Sequence, residues 1–444
     1  MITKSLLKKY NVPGPRYTSY PTVPYWDTDA FSIDGWNTEL GKVKSAEGVS
    51  IYIHLPYCES LCTYCGCTTR ITKNHAVETP YVESLLKEWD MYCNMIGETP
   101  QIKELHLGGG TPTFFSPENL NTLLSGLVKN NTTPPEISVE AHPNNTNEEH
   151  LRILNDLGCR RLSLGIQDFN KEVQKLINRH QSFETIDWIT KLARSTGYDS
   201  INYDLIYGLP GQSEATIRQT IKSTIELKPD RIAFYSYAHV PWMKKAQKSF
   251  EDKLPSAEEK RQLYELGKKL LIENGYVEIG MDHFALEDDS LTEAFNNGTL
   301  HRNFMGYTTQ KTNYIIGLGV SSISDLWTAF AQNVKKVEEY LDIIEKGQLP
   351  IERGHLLTDE DLNLRQHILN VMCRFKTDFT DDVDLIVQLR ERLSEMETDG
   401  LVSWEGSILR VTDTGVPYVR NVCMSLDQRL LAKKPATQLF SQTI

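Results

Sequence analysis

Six times between about Val49 and about Tyr237, a short run rich in Ile, Leu, Val or Tyr is followed by an amphipathic stretch with helical spacing. Strands linked through helices run parallel, because a parallel pair needs a long crossover. The alternation restricts the fold to an α/β barrel or an open α/β sheet covered by helices. The strand candidates are Val49–Leu55, Ile102–Leu107, Glu136–Glu140, Arg161–Ile166, Ile201–Ile206 and Arg231–Tyr237. Leu120, Leu123, Leu124 and Leu127 recur at spacings of three and four, as on a helix laid against a sheet. Thr79-Pro80 and Ser116-Pro117 read as helix starts, Thr146 with Glu149 and Ser256 with Glu259 as capping boxes, and Gly158, Gly197 and Gly275 as helix ends.

The rest of the chain has a different texture. Beyond Asn333, the stretches Val334–Lys346, Asp359–Cys373 and Asp382–Thr398 are predicted helices, followed by a hairpin over Leu401–Val411 around Glu405-Gly406. A winged helix would need a basic stripe, and Asp382–Thr398 is more acidic than basic. Residues 14–22 (Gly-Pro-Arg-Tyr-Thr-Ser-Tyr-Pro-Thr) form an aperiodic, ordered arm, either a strap on the barrel surface or a lid over a site. The expected division is an arm over 1–48, a catalytic unit with its extension over 49–333, and a smaller, mainly helical unit over 334–444.

At 444 residues, 40% hydrophobic and 24% charged, the chain can build a large core, and it has no run of 18 apolar residues to span a bilayer. Met1–Tyr10 lacks the apolar stretch of a secretory signal, so the expected location is cytoplasmic. A net charge of -12 disfavours nucleic acid and anionic membrane as partners. The absence of a coiled coil points to a monomer.

Four of the eight cysteines, Cys58, Cys62, Cys65 and Cys67, fall within ten residues directly after the first strand. Thiolates this dense imply a soft metal or a cluster. Structural zinc draws on two separated ligand pairs, and no second pair follows. An iron-sulfur cluster held by only three thiolates would keep one iron open to substrate. Spacing does not decide whether Cys67 is a fourth ligand, although one intervening residue strains joint ligation with Cys65. Cys93, Cys159, Cys373 and Cys423 read as packing residues.

The second strand ends in Gly108-Gly109-Gly110-Thr111, without the Lys-Ser/Thr of a P-loop or the spacing of a dinucleotide fingerprint. Three glycines let a ligand approach the backbone, although a tight turn explains them equally well in isolation. Glu140, Gln167, Asp168, Asp204 and Ala238-His239 recur at the carboxyl ends of later strands, the rim where α/β folds build active sites.

With these motifs the chain resembles the radical S-adenosylmethionine (SAM) enzymes, and within them the oxygen-independent coproporphyrinogen III oxidases, nearly end to end. The resemblance rests on Gly14–Thr22, Tyr52–Cys58 with the four cysteines, the triple glycine and Gly165–Asn170. It extends through Asp204–Pro210, Gly280–Ala285 and His301–Phe304. The cysteine spacing marks only the superfamily; the arm and the last two motifs mark the porphyrin branch.

The resemblance implies a partial (β/α)6 barrel and a [4Fe-4S] cluster on Cys58, Cys62 and Cys65, with SAM chelating the fourth iron. The 5'-deoxyadenosyl radical would take hydrogen from the β-carbon of a substrate propionate, and an electron and carbon dioxide would then leave. Two propionates of coproporphyrinogen III would become the vinyl groups of protoporphyrinogen IX, with an electron donor and an electron acceptor that the sequence does not specify. Tyr52, Gly109, Glu140 and Ile323 would contact one SAM, and Tyr64, Gly110, Thr111, Gln167, Arg179, Asp204 and Ala238 a second. Cys67 becomes a separate active-site thiol, and Arg16 and Arg302 face the substrate carboxylates. His142 departs from the family pattern, standing where an acidic residue is expected. The competing readings are a heme-trafficking or heme-degrading relative, and a zinc-stabilised binding protein.

Overall fold

The computed structural model describes residues 4–43, 47–433, 435 and 437–443. Among them, twelve strands join one sheet, numbered here in chain order: β1 (Val49–Leu55), β2 (Ile102–Gly109), β3 (Glu136–Ala141), β4 (Cys159–Gln167), β5 (Ser200–Tyr207), β6 (Arg231–Ser236), β7 (Tyr276–Ile279), β8 (His283–Leu286), β9 (Ile315–Leu318), β10 (Ile323–Asp325), β11 (Ala329–Asn333) and β12 (Ile351–Leu356). Their order is β12-β11-β10-β9-β1-β2-β3-β4-β5-β6-β8-β7. The six expected strands are present, parallel and consecutive. β9 adds a seventh parallel strand outside β1, which its four residues were too short to announce. Antiparallel hairpins extend both rims. The end strands do not pair with each other, so the barrel is partial.

The covering helices are α1 (Glu78–Ile96), α2 (Pro117–Val128), α3 (Glu148–Asp156), α4 (Phe183–Thr196), α5 (Glu214–Leu227) and α6 (Ala257–Ile272). In α2 the predicted leucine face is buried at all four positions, each removing surface worth about 1.5–3 kcal/mol. Ser116 caps this helix and the Ser256/Glu259 box opens α6. The other two starts differ. α3 is capped by Asn147 with His150, because Asn147 reaches the His150 N–H while Thr146 turns its hydroxyl to the His142 carbonyl. α1 begins one residue before Thr79, at Glu78. Glu88 of α1 is fully buried and fastens the late strands to the early ones. Its carboxylate accepts from Gly319 N at 2.8 Å, Asn333 Nδ2 at 2.7 Å and Tyr340 Oη at 2.7 Å.

A helix over Val337–Glu345, α7, leads into β12, so the sheet continues past Asn333 and the boundary expected there falls inside a hairpin. A second apolar core follows, built from α8 (Asp359–Arg374), α9 (Val383–Thr398), α10 (Val419–Leu426) and a small sheet of Lys376–Asp378, Ile408–Val411 and Val402–Glu405. The arm packs here: Leu7, Tyr10, Tyr17 and Tyr20 belong to this core. Arg420 donates to the carbonyls of Gly14, Pro15, Gln442 and Thr443. The arm is therefore neither a strap lying on the barrel alone nor a free lid. Cys159, Cys373 and Cys423 are buried and Cys93 half-buried, as packing residues should be. No helix among the described residues is long and apolar enough to cross a membrane.

Candidate active site

The loop after β1 crosses the carboxyl ends of the parallel strands and closes over a cavity. Cys58, Cys62, Cys65, Cys67, Tyr64, Gly109, Gly110, Thr111, Glu140, Gln167, Arg179 and Asp204 all line it. Sequence reasoning scattered these residues over five strand ends, and the parallel sheet gathers them because its strands all finish on the same side. His142 lines the cavity too. Burial lowers its imidazole to about 3, helped by the Arg179 charge, so it presents a neutral ring to the cavity.

Three of the four sulfurs have a donor aimed at them. Thr111 Oγ1 donates to Cys58 Sγ at 3.3 Å, Arg179 Nη1 to Cys62 Sγ at 3.6 Å and Cys67 N to Cys65 Sγ at 3.4 Å. A hydrogen bond from the Cys67 side chain outweighs burial and lowers Cys65 to about 6, which favours the thiolate. Arg179 also donates to the Gly165 carbonyl, and its buried Nε has no hydrogen-bond partner. Among the described residues, no three Cys, His, Asp or Glu side chains come close enough to hold a lone metal ion. Three soft donors spread around one cavity, each with a hydrogen bond of the kind that tunes cluster thiolates, fit an iron-sulfur cluster.

The glycine loop is shaped by contact. Gly109 has φ +111, and a Cβ there would lie 2.7 Å from the His54 ring; a Cβ on Gly110 would lie 2.7 Å from the Pro56 carbonyl. Backbone thus borders the cavity where side chains are excluded. Glu140 accepts from Gly109 N at 3.3 Å and bonds His106 Nε2 at 3.2 Å. Burial opposes its ionisation, but these partners and the nearby histidines hold it below the usual carboxylate range. Asp204 accepts from Ser163 and Asn202, yet burial and the Glu140 charge push it up to about 7. Neighbouring carboxyls thus have separated titrations, as in many reactive sites.

Other predicted positions border the cavity or lie outside its lining. Tyr52 stands inside the barrel, its hydroxyl 3.1 Å from His54 Nδ1 and its ring stacked on His106. Ile323 is half-buried on β10, and Ala238 lies beside the cavity, where its carbonyl and that of Tyr64 accept from the same Gln247 amide. Tyr64 lines the cavity and also leans on an apolar cluster with Ile177 and Phe250. Asp168 turns inward to Gln212, Thr220 and Asn170, and His239 turns to Glu251, so neither joins the rim. Arg16 pairs with Asp282, and Arg302 lies over the Tyr307 ring. Sequence reasoning passed over His54, His106 and Gln247. His106 was findable, since it alternates with Glu104 and Gly108 on one face of β2.

Residues 52–224 match the Radical SAM superfamily, and three cysteines in the loop after the first strand of a parallel sheet place the chain in that class of enzyme. Oxygen-independent coproporphyrinogen III oxidase from Synechocystis sp. is 38% identical over 464 residues, covering 99% of this chain and 97% of that protein. The Helicobacter pylori protein of the same name is 37% identical, with 98% of each chain covered. The solved structure of coproporphyrinogen III oxidase from Escherichia coli, a radical SAM enzyme, aligns with a TM-score of 0.88 at 36% identity, over 93% of this chain and 97% of that one. The chain belongs to the oxygen-independent coproporphyrinogen III oxidase family. Membership makes it an oxidoreductase with a [4Fe-4S] cluster and SAM as cofactors.

Proposed function

We propose that this protein converts two propionate side chains of coproporphyrinogen III to vinyl groups without oxygen, giving protoporphyrinogen IX in heme biosynthesis. The carrying observation is the cavity itself: three thiols with matched donors, a backbone-lined glycine loop and two carboxyls of different acidity, in a chain similar end to end to oxidases of that name. When bound, the cluster and SAM supply the radical that removes hydrogen from the propionate β-carbon.

Cys58, Cys62 and Cys65 hold the cluster. Glu140, kept ionised, accepts from a SAM ammonium, and Tyr52, Gly109 and Ile323 complete that site. Tyr64, Gly110, Thr111, Gln167, Asp204 and Ala238 take a second SAM, whose carboxylate Arg179 binds through its unused donor. Cys67 serves as a separate thiol, and of the two arginines Arg302 acts on the substrate side while Arg16 is held by Asp282. The arm of residues 1–48 and the helical unit after the sheet frame the substrate. The protein works as a cytoplasmic monomer, with separate electron donor and acceptor.

The test is strict anaerobic reconstitution followed by incubation with SAM, a reductant and coproporphyrinogen III. Vinyl product is expected, and none forming on an intact cluster overturns the reading. Cys67→Ser is expected to keep the cluster's absorbance while losing activity; loss of the absorbance makes Cys67 a ligand.

A further inference from the structure

Gly280–Ala285 and His301–Phe304 meet beside β6, away from the cysteine loop. Gly280 has φ +61, and a Cβ on it would lie 2.2 Å from the Tyr307 ring, so the first motif is packed against the hairpin that carries the second. Asp282, buried at this junction, spends both oxygens: one accepts from Arg16 of the arm, the other bonds His283 Nδ1 at 2.7 Å. That leaves Arg302 without a carboxylate in hydrogen-bond contact. Its guanidinium lies 4.4 Å from the Tyr307 ring centroid, it is 5% exposed, and Nε and Nη1 are buried with no hydrogen-bond partner. A buried guanidinium with idle donors is costly by itself and is satisfied by a carboxylate.

Tyr235, at the end of β6, lines both the cysteine cavity and a second chamber in the barrel, as do Glu140 and Asp204. His283 and Tyr307 line the inner chamber, and Tyr235 Oη stands 3.4 Å from His283 Nε2. Arg302 lines neither chamber itself and faces the inner one across the Tyr307 ring that it covers.

We infer that Arg302, His283 and Tyr235 form a carboxylate subsite that takes one propionate of the substrate, while Asp282 confines Arg16 to anchoring the arm. This rests on the proposed function and divides the two arginines between substrate and scaffold. The reconstituted full-length enzyme tests it. Arg302→Gln raises the KM for coproporphyrinogen III at least tenfold, leaves the KM for SAM and the cluster absorbance unchanged, and is partly rescued by Arg302→Lys. Tyr235→Phe, which keeps the ring, raises the same KM severalfold and keeps the subsite testable if Arg302→Gln does not fold. Arg16→Gln moves that KM less than threefold but speeds proteolysis of the arm. An unchanged substrate KM in both Arg302→Gln and Tyr235→Phe, or an Arg16→Gln effect as large as that of Arg302→Gln, overturns the subsite. Binding of coproporphyrin III, read by fluorescence quenching, separates the two readings. Lack of turnover by wild type with binding weakened at least tenfold in Arg302→Gln retires the reaction but keeps the subsite; equal binding by wild type and variant retires the subsite.

Discussion

Asp204 and Glu140 show how much of this site is decided by single environments. Both are carboxyls at strand ends, but Glu140 is given donors enough to stay ionised while Asp204, buried beside that charge, titrates near 7. Because the folded value of Asp204 lies above its ordinary 3.8, folding is favoured fully only below about 3.8. That contribution is lost as pH rises toward 7. Asp204→Asn should therefore stabilise the cofactor-free protein at pH 8, on the order of 2 kcal/mol after screening, with a smaller gain at pH 5, measured by urea unfolding at both. His106 orients Glu140 and braces Tyr52. His106→Asn should raise the KM for SAM about tenfold, the equivalent of 1.4 kcal/mol, with the cluster's absorbance kept; a change confined to kcat would argue against that role. The cysteines, glycines and strand-end carboxyls were legible in the sequence because chemistry restricts them to few residue types. Gln247 was not, since a glutamine that positions another group looks like any other polar residue until its partner is known.

At the scale of elements, the six parallel strands could be read from their apolar runs, and α2 from its leucine spacing. The rim hairpins could not. Strands of three to six residues carry too little alternation, and their pairing is set by distant partners. Glu88 shows the cost of that blind spot, for it joins α1 to residues some 231 to 252 positions away. Glu88→Ala strands the Gly319 N–H and the Tyr340 hydroxyl, while Asn333 Nδ2 keeps the Gly319 carbonyl and Ser322, and should destabilise the protein by about 3 kcal/mol, whereas Glu88→Gln, which keeps an acceptor, should lose less than half of that. Chemical denaturation would distinguish the two, and equal losses would mean that volume rather than hydrogen bonding matters there.

In the whole molecule, the two ends of the chain are sewn together. Tyr17 Oη donates to Asp427 at 3.0 Å, and Arg420 gathers carbonyls from both termini. Arg420→Ala should cost about 3 kcal/mol and expose the arm to protease before the barrel; simultaneous cleavage of both would show that they unfold as one unit. The arm's membership of the second core was not legible, because an aperiodic segment does not declare which surface it will cover. The position of β9 also sets an order of events during synthesis. The strand that presents the cluster loop stays open along one side until residue 315 has been made, some 260 residues later, or roughly 13 to 50 seconds at ribosomal speed. A nascent chain therefore has its thiols long before it has a finished wall behind them, and cluster loading belongs to the completed polypeptide. Chains ending before Ile315 should emerge without iron.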